Sequence, residues 1–189
     1  MKKILILIVG LLFSFSIRAQ NSVKIDLDND GIIDVVSLIT SDEGYHIEFL
    51  VSSQGTKVQK TEIITYGGQE NTLTVDKNVV IINSQFMRAE NYFKFRFDKK
   101  LKEVILIGFD TVQYGMATNN GSGKSSYNLL TGKYKANWNH FNESKNKLEP
   151  LPEISKKTRI ILFRLSDFSD KMIDALDQIG YDFLPKILQ

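Results

Sequence analysis

The chain has 189 residues, 42% of them hydrophobic, with 24 basic against 22 acidic side chains and no cysteine. That balance lacks the basic footprint of a nucleic-acid binder. The missing cysteine excludes a disulfide framework and a lipid anchor on a cysteine. Residues 1–19 read as a signal peptide: Lys2 and Lys3 form a positive start, residues 4–13 are nearly all apolar, and a cut falls between Ala19 and Gln20. The apolar run is too short for a membrane span, so no stable span is expected in the mature protein. Without Lys2, Lys3 and Arg18 the basic residues number 21 against 22 acidic ones, and the slight positive charge disappears. The expected location is the periplasm or the outside of the cell, and residues 20–189 suit one domain that needs no disulfide.

Next comes Asp26-Leu27-Asp28-Asn29-Asp30-Gly31-Ile32-Ile33-Asp34. Calcium is a hard cation that takes six to eight oxygen ligands, and a chain gathers several carboxylates at one point only by coiling around it. The expected ligands are the side chains of Asp26, Asp28 and Asp30, the Ile32 carbonyl, and Asp34 directly or through water. Gly31 stands sixth, where the loop turns sharply. Two carboxylates about 5 Å apart repel by roughly 3 kcal/mol at an effective dielectric near 20, and a divalent ion reverses that sign. The competing reading is a solvated acidic turn. An EF-hand would place a bidentate Glu where Ser37 stands, and a helix where the β-branched run Val35-Val36-Ser37-Leu38-Ile39-Thr40 predicts a strand.

The remaining pattern is mainly β, expected as an antiparallel sheet forming a sandwich or a partly open barrel. A strand over 32–40 turns at Ser41-Asp42-Glu43-Gly44 into an alternating strand of Tyr45, Ile47, Phe49 and Val51. Residues 58–66 continue in β style. Segments 73–75 and 79–83 flank an Asp76-Lys77-Asn78 turn. Phe93, Phe95 and Phe97 share one face. Residues 101–110 follow, and Val104-Ile105-Leu106-Ile107 reads as a central strand covered on both sides. Segments 127–130 and 134–138 form a hairpin around Thr131-Gly132.

The tail, 142–189, reads as an extension of different character. Residues 142–152 predict a loop, 158–165 a strand, and Ser166 the cap of a C-terminal helix packed on the sheet. Its stripe is Phe168, Met172, Ala175, Leu176 and Ile179, and Gly180 should end it.

Other constellations are weaker. Gly121-Ser122-Gly123-Lys124-Ser125 lacks the first glycine of a phosphate loop, since Thr118 stands there, and a strand rather than a helix follows. His46 and His140 lie far apart and do not suggest zinc. Glu90 and Asp110 could be a carboxylate pair, but nothing singles them out, and no catalytic residue is assigned. Tyr114, Tyr127 and Trp138 read as core or sheet-covering residues, the alternative being the rim of a sugar- or peptide-binding surface.

The acidic run resembles the D-x-D-x-D-G-x-x-D loop that opens a strand in FG-GAP and VCBS-like repeats, and is similar to the loops of dockerins and thrombospondin-type repeats. Across residues 24–138 the chain resembles a group of small exported bacterial proteins with one such loop. The shared pieces are Leu106-Ile107-Gly108-Phe109-Asp110, the glycine-rich loop, and Leu129-Leu130-Thr131-Gly132-Lys133. That resemblance implies architecture, export and the ligand set Asp26, Asp28, Asp30, Ile32 and Asp34. The expected function is a non-enzymatic binding or accessory protein of the cell envelope with a structural calcium ion, whose partner is a glycan or an envelope protein. The alternative is an envelope hydrolase, or an inhibitor of one, acting through residues 119–125.

Overall fold

A computed structural model describes residues 20–189; the signal-peptide expectation for 1–19 lies outside the described residues. The described residues form two antiparallel sheets packed face to face, with no closed barrel among them and one C-terminal helix. The smaller sheet has the order β1 (Gln20–Ile25), β2 (Asp34–Ser41), β3 (Gly44–Leu50), β4 (Val58–Lys60). The larger is a meander of β5 (Glu70–Asp76), β6 (Val79–Gln85), β7 (Ala89–Asp98), β8 (Glu103–Gln113), β9 (Gly123–Asn128) and β10 (Lys133–Asn142). The free edge of β10 is shared by β11 (Lys147–Pro150) and β12 (Ile154–Lys157), while β13 (Phe163–Arg164) pairs with β8 beyond the end of β9. Among the described residues no helix is long and apolar enough to cross a membrane.

Period-two burial builds the core. Val36 and Leu38 of β2 and Ile47 and Phe49 of β3 face Val80, Ile82, Phe93 and Phe95 of the larger sheet in one continuous cluster. Phe49 and Phe95 meet across the gap with ring centroids 6.1 Å apart. The apolar run in β8 has two origins. The β7–β8 register skips Ile107 at a bulge, so Val104 and Leu106 face inward before it and Phe109 and Thr111 after it. Ile105 is 1% exposed but belongs to the opposite face, outside the main core cluster.

Four expectations need correction. The segment 58–66 keeps strand pairing only over Val58–Lys60 and at a single Tyr45–Ile64 bridge. Between them the Thr61 N–H still donates to the Ile47 carbonyl, but the Ile47 N–H is accepted by the Thr61 hydroxyl, both at 3.1 Å, so only half of the ladder pair is backbone. The loop expected at 142–152 is a hairpin. Asn142 caps a 3-10 turn, Asn146 takes a left-handed conformation (φ 47°), and β11 returns along β10 with Pro150 on the sheet edge, where its missing N–H costs nothing.

Of the single strand expected over 158–165 only Phe163–Arg164 forms, as β13, while β12 ends just before it at Lys157. The chain leaves the sheet at Thr158, whose N–H donates to the Gly132 carbonyl at 2.7 Å. The helix, α1, spans Asp170–Asp182 and is preceded by Ser169 rather than Ser166, which lies in a 3-10 turn closed by Asp167 on the Arg164 N–H. It runs through Gly180, and its buried face is Met172, Ile173 and Leu176, with Ala175 exposed.

Phe168 fixes α1 to the sheet. It is fully buried and stands edge-on to Phe93 and Phe95, with centroids 5.0 and 5.1 Å away. Asp170, in the first turn, accepts the backbone N–H groups of Thr65 and Tyr66 at 3.0 and 2.9 Å, and the Thr65 hydroxyl also donates to it. This clamp holds the irregular stretch after β4 against the start of the helix. Burial pushes the Asp170 carboxyl up, but these hydrogen bonds outweigh it and hold the pKa below the usual value.

Candidate metal centre

The acidic loop connects β1 to β2 and is pinned from within. Leu27 is 1% exposed and joins the core, so the residues on either side of it, Asp26 and Asp28, hang from a fixed point. The backbone coils through two left-handed residues, Asn29 (φ 55°) and Gly31 (φ 86°). A Cβ at Gly31 would meet nothing, so conformation rather than space calls for glycine there.

Asp26, Asp28 and Asp34 each present a carboxylate oxygen, all three within 4.8 Å of one another. This is the sole such group of three or more potential ligand residues among the described residues. Asp34 is 1% exposed and acts as a bracket: Oδ2 accepts the Leu27 N–H and Oδ1 the Ser52 N–H, both at 2.7 Å. Asp26 accepts the N–H groups of Asp30 and Gly31 at 3.1 and 3.0 Å. Asp28 is 4% exposed. Its Oδ1 accepts the Asp30 N–H at 3.2 Å, while its Oδ2 is buried without a hydrogen-bond partner.

Of the expected ligands, the structure brings together Asp26, Asp28 and Asp34. Asp30 lies outside the group and is exposed; its oxygens accept the Ile32 N–H at 2.8 Å and the Ser52 hydroxyl at 2.9 Å. The Ile32 side chain is 60% exposed. Sequence reasoning missed Ser52, which ties the end of β3 to both Asp30 and Asp34. No local signal announces a residue 18 and 22 positions away.

The three carboxylates repel one another. At 4.8 Å and an effective dielectric near 20, each ionised pair costs about 3–4 kcal/mol. No ion pair among the described residues involves them. The arrangement is therefore one that could hold a metal ion, and the ion would supply the charge the protein does not.

The other candidates fall apart as sites. Gly123-Lys124-Ser125 lies in strand β9, and Gly121 and Ser122 are bonded to Asn139 of β10, so no helix offers N–H groups to a phosphate. His46 contacts Glu48 at 3.2 Å, and His140 contacts the Asn120 side chain at 3.1 Å. Glu90 receives the hydroxyls of Tyr92 and Tyr114, whose bonds hold its pKa below the usual range, whereas Asp110 pairs with Lys94 and Ser126. Tyr127 and Trp138 are core residues, as expected, while Tyr114 is 45% exposed.

No family model, curated protein or solved structure matches this chain.

Proposed function

We propose that this is an exported, non-enzymatic binding or accessory protein of the cell envelope, whose first hairpin is braced by one calcium ion. The single observation that carries the metal is Asp28 Oδ2. A buried, unpartnered carboxylate oxygen on a residue grouped with two more carboxylates is costly unless a cation completes it. The donors are all oxygens, which favours calcium over zinc. Asp26, Asp28 and Asp34 would bind directly. The Ile32 carbonyl and Asp30, released from Ser52 or acting through water, would complete the shell. The role is structural, because the ion would join β1, β2 and the end of β3.

The test is thermal unfolding in calcium and in chelator. A dissociation constant on the order of 10⁻⁴–10⁻³ M, usual for extracellular modules, gives about 1.4–2.7 kcal/mol at 10 mM calcium, or roughly 3–10 °C in Tm. Equal melting curves in calcium and chelator would end the calcium reading. The non-enzymatic part is tested separately, by looking for turnover of any glycan or peptide the protein binds.

A further inference from the structure

The inward face of the larger sheet carries an anomaly. Asn71, Ser84, Asn91, Thr111 and Ser125 are register partners, one on each strand from β5 to β9, and form a continuous polar row across a face that otherwise buries aromatics. Asn91 and Ser125 are buried at 3% and 7% exposure. The neighbouring inward row, one repeat away, reads Leu73, Ile82, Phe93, Phe109, Tyr127 and Tyr134. An apolar core gains nothing from a row of amides and hydroxyls at its centre.

Over the β7–β9 part of that row lies a cavity of about 520 Å³, roofed by Asp177, Gly180 and Tyr181 of α1 and by Leu184 just after it. That volume lies within the range of small-molecule sites. Its floor includes Asn91, Thr111 and Ser125, and its far wall is Tyr134 and Trp138. The indole is seated by Gly123, where a Cβ would come within 2.7 Å of the Trp138 ring. Trp138 Nε1 is buried without a hydrogen-bond partner, and the Tyr134 hydroxyl, also buried, has the Ser125 side chain as its polar neighbour. At the other end the Tyr66 hydroxyl donates to Asp177 Oδ2 at 2.7 Å.

We propose that this cavity is a binding site for a neutral mono- or disaccharide. The proposal deepens the binding-protein reading and rests on it, but not on the metal. A pyranose presents flat C–H faces to aromatic rings and a girdle of hydroxyls that both donate and accept. The cavity offers aromatic walls and a floor of neutral hydrogen-bonding groups. No lysine, arginine or histidine lines it, which disfavours phosphorylated or carboxylate ligands. The one acidic lining group is Asp177, whose carboxyl burial pushes up, against the opposing Tyr66 bond. An acyl chain is the poorer occupant, because it would cover the polar row without pairing it.

The chain has one tryptophan, Trp138, and it lines the cavity, so its emission reports occupancy directly. Purified protein is titrated with glucose, N-acetylglucosamine, cellobiose and chitobiose, and in parallel with glucose 6-phosphate and octanoate. A saturable change with at least one neutral sugar, and none with the two anions, is expected. Gly180 has open space where a Cβ would stand, and its helical backbone accepts a side chain. Gly180→Leu should therefore fill the cavity, weaken sugar binding at least tenfold, and leave Tm no lower than wild type. Thr111→Val, which removes a floor hydroxyl at nearly constant shape, should weaken binding severalfold.

The proposal is overturned if no neutral sugar alters the emission, if an anion binds more tightly, or if a folded Gly180→Leu variant binds as wild type does. A sugar that binds and is then cleaved would support this site while overturning the non-enzymatic reading. Silence from every sugar would overturn the site and leave the calcium-dependent melt to judge the metal.

Discussion

The acidic loop and the cavity roofed by α1 bury polar groups to a similar degree and by opposite means. In the loop, Asp28 and Asp34 are 4% and 1% exposed, both acidic, and opposed by no cation in the described residues. In the row under α1, Asn91 and Ser125 are 3% and 7% exposed but neutral, and Ser125 exchanges a 2.8 Å hydrogen bond with Thr111. Neutral groups can satisfy one another pairwise and still accept a ligand. Like charges cannot, so the loop depends on an ion for its stability whereas the row does not. Chelation should therefore weaken the first hairpin and leave the helix and its sheet face standing.

The largest expected effect separates the two regions from the other side. Phe168 joins α1 to Phe93 and Phe95, and Phe168→Ala should cost about 3–5 kcal/mol in urea unfolding. Its calcium-induced gain in stability should match wild type, because the rings that Phe168 packs against belong to β7, on the other sheet from the loop. A variant that lost the calcium response as well would show that the packing of Phe168 is energetically coupled to the loop's affinity for the ion.

The next effect changes sign with conditions. Asp28→Asn removes a buried charge and keeps the shape. In chelator it should be more stable than wild type by roughly 1–3 kcal/mol, and in 10 mM calcium that order should shrink or reverse. A variant less stable than wild type in both conditions would mean that the Asp28 carboxylate serves the loop without a metal.

How much of each region can be read in the sequence follows from the same contrast. The loop is contiguous: five acidic and glycine positions within nine residues carry its shape, and the structure gathers three of those side chains. Asp30 departs from the pattern because Ser52, on another part of the chain, competes for it. The strands of the larger sheet are legible wherever burial alternates, as in Phe93, Phe95 and Phe97, and blurred where the bulge at Ile107 resets the period. The polar row is invisible in the sequence. Its members are scattered from Asn71 to Ser125, and each alone looks like an ordinary strand serine, threonine or asparagine; only the register aligns them. The tail resists reading because β12 and β13 are edge patches, four and two residues long, too short for a pattern.

A smaller effect concerns the clamp between the two regions. Asp170→Ala should cost about 1–2 kcal/mol near neutral pH through the lost hydrogen bonds to Thr65 and Tyr66. The folded carboxyl titrates below its ordinary value of 3.8. Its contribution is therefore present above that pH and lost as pH falls through the lower folded value. Wild type should lose more stability than Asp170→Asn on acidification through that window. Parallel losses would mean the clamp does not hold in solution.

The smallest effect bears on why α1 carries a glycine in its last turn at all. Glycine in a helix interior costs roughly 0.5–1 kcal/mol relative to alanine, and less toward a frayed end. Gly180 has a helical backbone, and a Cβ placed there would have no neighbour within 4 Å, so neither strain nor crowding demands glycine. Gly180→Ala should raise stability by roughly a few tenths of a kcal/mol, measured as a higher urea midpoint with unchanged slope. A methyl group at that point narrows the roof of the cavity without filling it, so sugar binding should weaken less than in Gly180→Leu. A glycine that lowers stability while keeping space open is what a site selected for occupancy would retain. If alanine instead destabilises the protein, the residue is needed for the path of the chain, and its place above the cavity says nothing about a ligand.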